Sequence, residues 1–246
     1  MDCQPHCKLK VYNWLKNNQI CLLCDEPSDN PYPLCSPCES ELPWLLEHCQ
    51  TCALPLPMAG LNCGQCLKQP PSFDQVIAPW TYHFPVDTLI TRFKHQGQWP
   101  LGRLLGELLA LALCERYEHG LPRPDLLLAV PMAVKRQRQR GYNQAAMLMT
   151  WLGKSLEIPA DEHRLLRIQD TVAQQELDAR ARRRNLLDAF ALAPGASVGG
   201  LHLALVDDVL TTGATAESLA RLLLKAGARR VDVYCLARTP KPGDPA

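Results

Sequence analysis

Charge of one sign is nearly absent from the balance of this chain. Its 26 Lys and Arg stand against 25 Asp and Glu, a formal net charge of +1, so the overall composition selects neither a nucleic-acid nor an acidic partner. Aromatics are sparse, with five Trp, six Tyr and four Phe in 246 residues. Most of these rings are needed for the core, and Trp80, Tyr82 and Trp99 are the ones that could stack on bases. Neither G-x-x-x-x-G-K-[ST] nor G-x-G-x-x-G occurs, which excludes a Walker A loop and a dinucleotide fingerprint. The most apolar helical stretch, Leu101 to Leu113, carries Arg103 and Glu107 and falls short of the roughly 20 residues that cross a bilayer. No membrane insertion is expected. Residues 1–17 lack a long apolar core followed by a small-residue cleavage site, so a cytoplasmic protein with reduced thiols is expected.

What the chain does have is cysteine, twelve in all. Eight fall into four C-x-x-C knuckles, Cys21/Cys24, Cys35/Cys38, Cys49/Cys52 and Cys63/Cys66, and the second pair of knuckles repeats the first at a spacing of 28 residues. Two residues between thiols let both sulfurs reach one ion from a tight turn, and two knuckles complete a closed tetrahedral site. Two structural zinc ions follow. Sequential pairing and a cross-brace are both compatible with the spacing; the repeat favours the sequential form, since each unit is then self-sufficient. Seven prolines between Pro27 and Pro57 leave this segment little apolar core, so metal binding must supply much of its folding free energy. A redox dithiol is the weaker alternative, because such motifs come singly. Cys3, His6 and Cys7 are extra candidate ligands or part of a frayed N-terminus. Cys114 and Cys235, in apolar contexts, read as core.

The stretch that organises the rest is Leu205-Val206-Asp207-Asp208-Val209-Leu210-Thr211-Thr212-Gly213-Ala214-Thr215. An apolar run, Leu201 to Val206, precedes it and a helical pattern, Ala216 to Ala226, follows, which reads as strand, tight loop and helix. Five small or hydroxylated residues after the strand let backbone N–H groups close on an anion at the helix N-terminus. Asp207 and Asp208 are then one strand-end away, within reach of vicinal hydroxyls or a metal. The implied ligand is a ribose 5-phosphate.

Between the knuckles and this loop, Pro70-Pro71 ends the metal module. Val76 to Tyr82 then reads as a strand, Val86 to His95 as a helix with a basic end, and Leu101 to Tyr117 as an amphipathic helix. Asp125 to Val130 reads as a buried strand feeding a basic turn, Lys135 to Arg140, before the helix Ala145 to Leu156. Cations at a strand's C-terminal edge suit an anionic ligand of an open α/β sheet. Residues 164–190, with a second basic cluster at Arg180 and Arg182 to Arg184, read as a polar excursion or a long solvated helix. Gly227 closes the loop-bearing helix, and Val231 to Ala237 gives a last strand.

Two acids followed by T-T-G-A-T resemble the phosphoribosyl pyrophosphate (PRPP) loop of type I phosphoribosyltransferases. Together with the paired knuckles, Phe93-Lys94, Val130-Pro131, Lys135-Arg136, Arg140-Gly141-Tyr142-Asn143-Gln144, Gln174, Arg180 and Arg184-Asn185, the chain from Cys21 to Arg238 resembles the ComF (ComF/GntX-like) family. The C-terminal two-thirds is also similar to the transferase half of amidophosphoribosyltransferases, with the pyrophosphate loop at Pro131 to Arg136 and the hood near Thr171 to Asn185. The resemblance implies an α/β fold, a phosphoribosyltransferase-like parallel sheet flanked by helices, behind a small cysteine-rich zinc ribbon. It divides the chain into an extension (1–20), a double zinc ribbon (21–67), the phosphoribosyltransferase-like domain (72–238) and a disordered tail (239–246). It further implies PRPP with Mg²⁺ as ligand and a link to DNA uptake or DNA utilisation, with single-stranded DNA and competence-machinery proteins as partners.

Two functional classes follow. As an enzyme, a phosphoribosyltransferase, Val206 to Asp208 and Thr211 to Thr215 would bind PRPP, Asp207 and Asp208 holding the ribose, while Lys135 and Arg136 neutralise the departing pyrophosphate. As a non-catalytic competence factor, the same loop would sense a phosphoribosyl ligand while the basic clusters grip single-stranded DNA. A purely structural zinc adaptor would leave the loop unexplained.

Overall fold

The computed structural model describes residues 19–168 and 189–241. Two nine-residue strands, β7 (His202–Leu210) and β8 (Arg230–Arg238), form the middle of the sheet. Both are apolar on successive positions because both faces are covered, as in parallel sheets flanked by helices. Outward from β8 lie β1 (Gln75–Ile77) and, further along, β2 (Trp80–Thr81); outward from β7 lie β3 (Leu126–Ala129) and β4 (Ala160–Asp161). Every pairing in this sheet is parallel. The sequence expectation of one strand over Val76 to Tyr82 is corrected to two. Pro79 has no N–H to donate to the ladder, and its carbonyl turns instead to Leu45 N–H, at 2.8 Å.

Helices α3 (Val86–Gln96), α4 (Trp99–Glu118), α6 (Gln144–Leu156) and α7 (Ala214–Lys225) bury their apolar faces around the sheet. The basic run expected as a turn is helical, α5 (Val134–Arg140), stopped by Gly141 at φ 84°. Six of its seven residues are exposed, so its cations are held out to solvent on a short rigid helix. A small antiparallel pair, β5 (Leu165–Arg167) with β6 (Phe190–Leu192), flanks residues 169–188, which lie outside the described residues. Gln174, Arg180 and Arg182 to Arg184 lie outside the described residues, as do Cys3, His6 and Cys7. Cys114 and Cys235 are buried, as expected.

The cysteine-rich segment, with two short helices α1 (Ser36–Ser40) and α2 (Gly64–Lys68), is less separate than its composition suggests. Leu34, Leu42, Leu45 and Ala53 are buried in the same apolar cluster as the sheet. Its backbone also runs along the β1/β2 edge. Thr81 N–H donates to Pro43 O and Val76 N–H to Thr51 O, both at 2.9 Å, and Trp44 packs on the fully buried Trp80 with ring centroids 5.6 Å apart. The ribbon thereby covers an edge that would otherwise be open to another strand. Among the described residues no helix is long and apolar enough to cross a membrane.

Candidate functional site: two zinc centres and an acidic strand end

The knuckles resolve into two sequential clusters. Cys21, Cys24, Cys35 and Cys38 bring their sulfurs within 4.8 Å of one another, and so do Cys49, Cys52, Cys63 and Cys66. A tetrahedron with zinc–sulfur distances of about 2.3 Å has sulfur–sulfur edges of about 3.8 Å. Cys24 Sγ to Cys35 Sγ and Cys52 Sγ to Cys63 Sγ are both 3.7 Å, so the cages have the size zinc requires. Burial acts to raise the Cys21 thiol, but backbone N–H donors of Cys35, Leu23 and Cys24 outweigh it and bring it down to about 6. Cys49 is lowered to about 7 in the same way, by the amides of Cys52, Cys63 and Thr51 acting against burial. Each is a thiol prepared to bind as thiolate. The two four-cysteine clusters are structural zinc sites.

The acidic loop forms at the C-terminal end of β7, the central strand, where open α/β sheets place their ligands. Its two carboxylates face different surroundings, since successive strand residues point to opposite faces. Asp208 is buried; its Oδ1 meets Lys94 Nζ at 2.9 Å, and its Oδ2 is buried without a hydrogen-bond partner among the described residues. Asp207 accepts the Asp208 N–H at 2.8 Å. Burial, with the Asp208 charge adding to it, raises the Asp207 carboxyl to about 7. An orphaned buried oxygen beside a reluctant carboxyl is a donor set that fits hydroxyls donating to it, or a hard cation such as Mg²⁺.

After Leu210 the chain turns through Thr211 and Thr212, both exposed, to Gly213, whose φ of 76° admits the sharp entry into α7. The amides of Thr211, Thr212 and Gly213 meet no protein acceptor among the described residues, and the α7 macrodipole adds to them. Ala214 and Thr215 open the helix. One side chain holds this loop from behind. Arg238, last residue of β8 and 7% exposed, donates to the carbonyls of Leu210 at 3.0 Å, Thr239 at 2.8 Å, Thr211, and Cys52 of the second zinc cluster at 2.9 Å.

Lys94 is held as firmly. The neighbouring Phe93 is fully buried and lies so close to α4 that a Cβ on Gly102 would come within 2.5 Å of its ring. Tyr142 donates its hydroxyl to the Phe93 carbonyl. Asn143 both caps α6, accepting from Ala145 N–H at 3.1 Å, and donates to the Val130 carbonyl at 3.1 Å, while Arg140 Nη1 reaches Gln144 Oε1 at 2.7 Å. The Arg140-to-Gln144 motif is therefore a brace that fixes α3 and the end of β3 relative to α6. Lys135 and Arg136 stand exposed in the first turn of α5, beyond the end of β3, and form no ion pair among the described residues. The structure thus joins the acids to Lys94 and leaves the two α5 cations apart from them. Sequence reasoning missed Lys94 as an acid partner and Arg238 altogether. A cation closing the run Val231 to Ala237, apolar but for Asp232, was the available signal for Arg238.

Two metal cages on the edge of a parallel sheet, and an acidic pair leading into a small-residue loop at its C-terminal edge, define a double zinc ribbon joined to a parallel α/β domain. The double zinc ribbon domain family matches residues 14–67. Over most of its length the chain is similar to two groups of bacterial proteins. It is 36% identical over 222 residues to the DNA utilization protein YhgH of Salmonella typhi, covering 89% of this chain and 97% of that protein. It is 36% identical over 235 residues to competence protein F of Haemophilus influenzae, covering 95% of each. Competence protein ComFC of Bacillus subtilis is 25% identical over 243 residues, covering 89% of this chain and 95% of its own. The chain belongs to this competence protein F family. Among solved structures, a glutamine PRPP amidotransferase from B. subtilis overlaps 55% of this chain and 25% of its own, with 18% identity and a TM-score of 0.36, and an adenine phosphoribosyltransferase from Leishmania tarentolae overlaps 54% and 70% with 18% identity and the same score; overlap this partial carries no argument about function.

Proposed function

We propose that the chain binds PRPP, or another ligand bearing ribose 5-phosphate, together with Mg²⁺, in the service of DNA uptake or DNA utilisation. The observation that carries this reading is the position of Asp207 and Asp208 near the C-terminal end of β7, two residues before a loop whose amides at the α7 N-terminus meet no protein acceptor among the described residues. The 5-phosphate accepts from the amides of Thr211 to Thr215, and the ribose hydroxyls donate to the carboxylates. Asp207 and Asp208 would hold Mg²⁺, which would supply charge neutralisation to the pyrophosphate. Lys94 holds Asp208 in place for the hydroxyls, and Lys135 with Arg136 on α5 supplies charge to the pyrophosphate. On this reading the protein is a phosphoribosyltransferase whose acceptor is chosen by the hood expected near Thr171 to Asn185, outside the described residues. Thermal unfolding with and without PRPP and Mg²⁺ tests it: a ligand at 100 times its Kd adds about 2.7 kcal/mol, and an unchanged unfolding curve at millimolar PRPP overturns it.

A second reading, a non-catalytic factor that grips single-stranded DNA and senses the phosphoribosyl ligand, is favoured by one observation. Lys135, Arg136 and Arg138 share an exposed helix that has no acidic residue, a layout suited to a phosphate backbone.

A further inference from the structure

The loop after β7 adjoins two groups of residues. Asp207, Asp208 and Lys94 stand at the strand end ahead of it. Beside it is a cavity of about 830 Å³, walled by the loop itself (Thr211 to Gly213), by Phe73, by Leu54 and α2 of the second zinc ribbon, and by Arg238. Neither carboxylate, nor Lys94, nor any residue from 131 to 140 lines it. The cavity and the acidic site therefore share the loop and nothing else. Its size lies within the range that encloses a small organic ligand, and much of its wall is apolar, from Leu54, Phe73 and the Pro70-Pro71 pair. Because the ribbon packs against the sheet edge, this space is bounded by both parts of the chain.

Its charge is not balanced. Arg221 on the same wall is paired with Glu217 at 2.5 Å. Arg238, nine-tenths buried, has only carbonyl and hydroxyl acceptors, and no carboxylate lies within salt-bridge distance of it among the described residues. These dipoles satisfy its N–H groups without cancelling its charge, so an anion brought to the loop gains from that charge at low local dielectric. A further cation, the exposed Lys241, stands at the mouth.

We propose that this cavity is a second subsite, which takes a nucleoside attached through a phosphodiester to the phosphate held on the loop. The inference rests on the phosphoribosyl reading above and deepens it. A phosphate monoester such as PRPP has one organic arm, which goes to the carboxylates, and leaves the cavity to water. A phosphodiester has two, and the loop adjoins both the acidic strand end, which suits a ribose, and the cavity, broad and largely apolar, which suits a planar base. The ligand class is a dinucleotide or the end of a nucleic-acid strand. Phe73 and the proline pair offer the flat apolar surface, and the exposed amides of Gln65 and Gln69 offer donors and acceptors at its rim.

Calorimetric titration of the zinc-loaded full chain with Mg²⁺ compares three probes: PRPP, thymidine 5′-monophosphate and the dinucleoside monophosphate thymidylyl-(3′→5′)-thymidine. The diester carries less negative charge than the monoester, so charge alone predicts weaker binding. The second subsite instead predicts that it binds at least about tenfold tighter. Gln69→Trp, an exposed position on the cavity wall, fills the space without removing core contacts; it should abolish that advantage and leave the PRPP affinity within about twofold. Gln65→Trp, from the other end of α2, should do the same, and zinc content and unfolding temperature report whether each variant is folded. Equal affinity for monoester and diester, or a diester advantage that survives both tryptophans, overturns the inference while the PRPP reading stands. Failure of PRPP itself to bind overturns both.

Discussion

Lys94 Nζ lies 2.9 Å from Asp208 Oδ1, and this pair is the single charged link between α3 and the central strand β7 among the described residues. Removing the cation leaves a buried carboxylate with neither oxygen paired by charge, which is strongly destabilising. Lys94→Met should therefore cost roughly 2–3 kcal/mol at neutral pH, below the range for a wholly buried pair because the Lys94 side chain retains 19% exposure. Urea unfolding of wild type and variant measures this. A loss below about 0.5 kcal/mol would put the pair in the class of exposed surface bridges and remove it as the clamp on Asp208.

Asp207 gives a pH dependence of definite sign. Its carboxyl is raised by burial and by Asp208 to about 7, against about 3.9 in an unfolded chain. A carboxyl whose pKa is higher in the folded state favours folding fully below the unfolded value, and that contribution is lost as pH rises through the folded value. Asp207→Asn should accordingly stabilise the protein at pH 8 relative to wild type and do little at pH 4. Ligand binding runs the other way: hydroxyls and Mg²⁺ need the carboxylate, so PRPP affinity should climb between pH 6 and 8 in wild type and be lost in the variant. A flat affinity profile across that window, measured by titration calorimetry, would count against Asp207 as a ligand group.

The zinc sites should differ in their effect on the loop. Both cages are expected to fill, giving about two zinc ions per chain by metal analysis. Cys52, in the second, also lends its carbonyl to Arg238, which in turn holds the Leu210 and Thr211 carbonyls. Cys63→Ser with Cys66→Ser should therefore weaken PRPP binding along with stability, whereas Cys35→Ser with Cys38→Ser should reduce stability with less effect on binding. Arg238→Met, which orphans the same carbonyls while leaving both cages intact, should reproduce the binding loss; orphaned buried acceptors cost about 1–3 kcal/mol each.

The parts legible in the sequence are those carried by local spacing. Four knuckles at a fixed period specify two metal cages, and an apolar strand, two acids and a small-residue loop specify β7, its end and α7. Spacing does not separate sequential from crossed pairing of the knuckles, because both satisfy tetrahedral chemistry; folding decides it by closing each 21–38 and 49–66 unit on itself. Lys94 and Arg238 are hidden for a different reason. Each acts on residues remote in the chain, Lys94 on Asp208 and Arg238 on Cys52 and Leu210, and no periodic pattern reports such a contact. The basic run at 135–140 reads as a turn because its sequence has no apolar face, and α5 indeed buries none of its residues.

Single-stranded DNA and PRPP should compete for the same cations, and the salt dependence of binding can show it. Lys135, Arg136 and Arg138 project from α5 without acidic partners among the described residues. Each phosphate they neutralise contributes about −0.7 to the slope of log K against log salt for a single strand. Replacing all three with Ala should thus reduce the magnitude of that slope by up to about 2, with the loss of affinity greatest at low salt. If Lys135 and Arg136 also receive the pyrophosphate, PRPP withdraws them from the strand, so saturating PRPP should lower the slope of the wild-type protein and leave that of the triple variant almost unchanged. Fluorescence anisotropy of a labelled oligonucleotide across a salt series measures both. A wild-type slope near zero in either state would remove DNA from the α5 cations and leave them to the pyrophosphate alone.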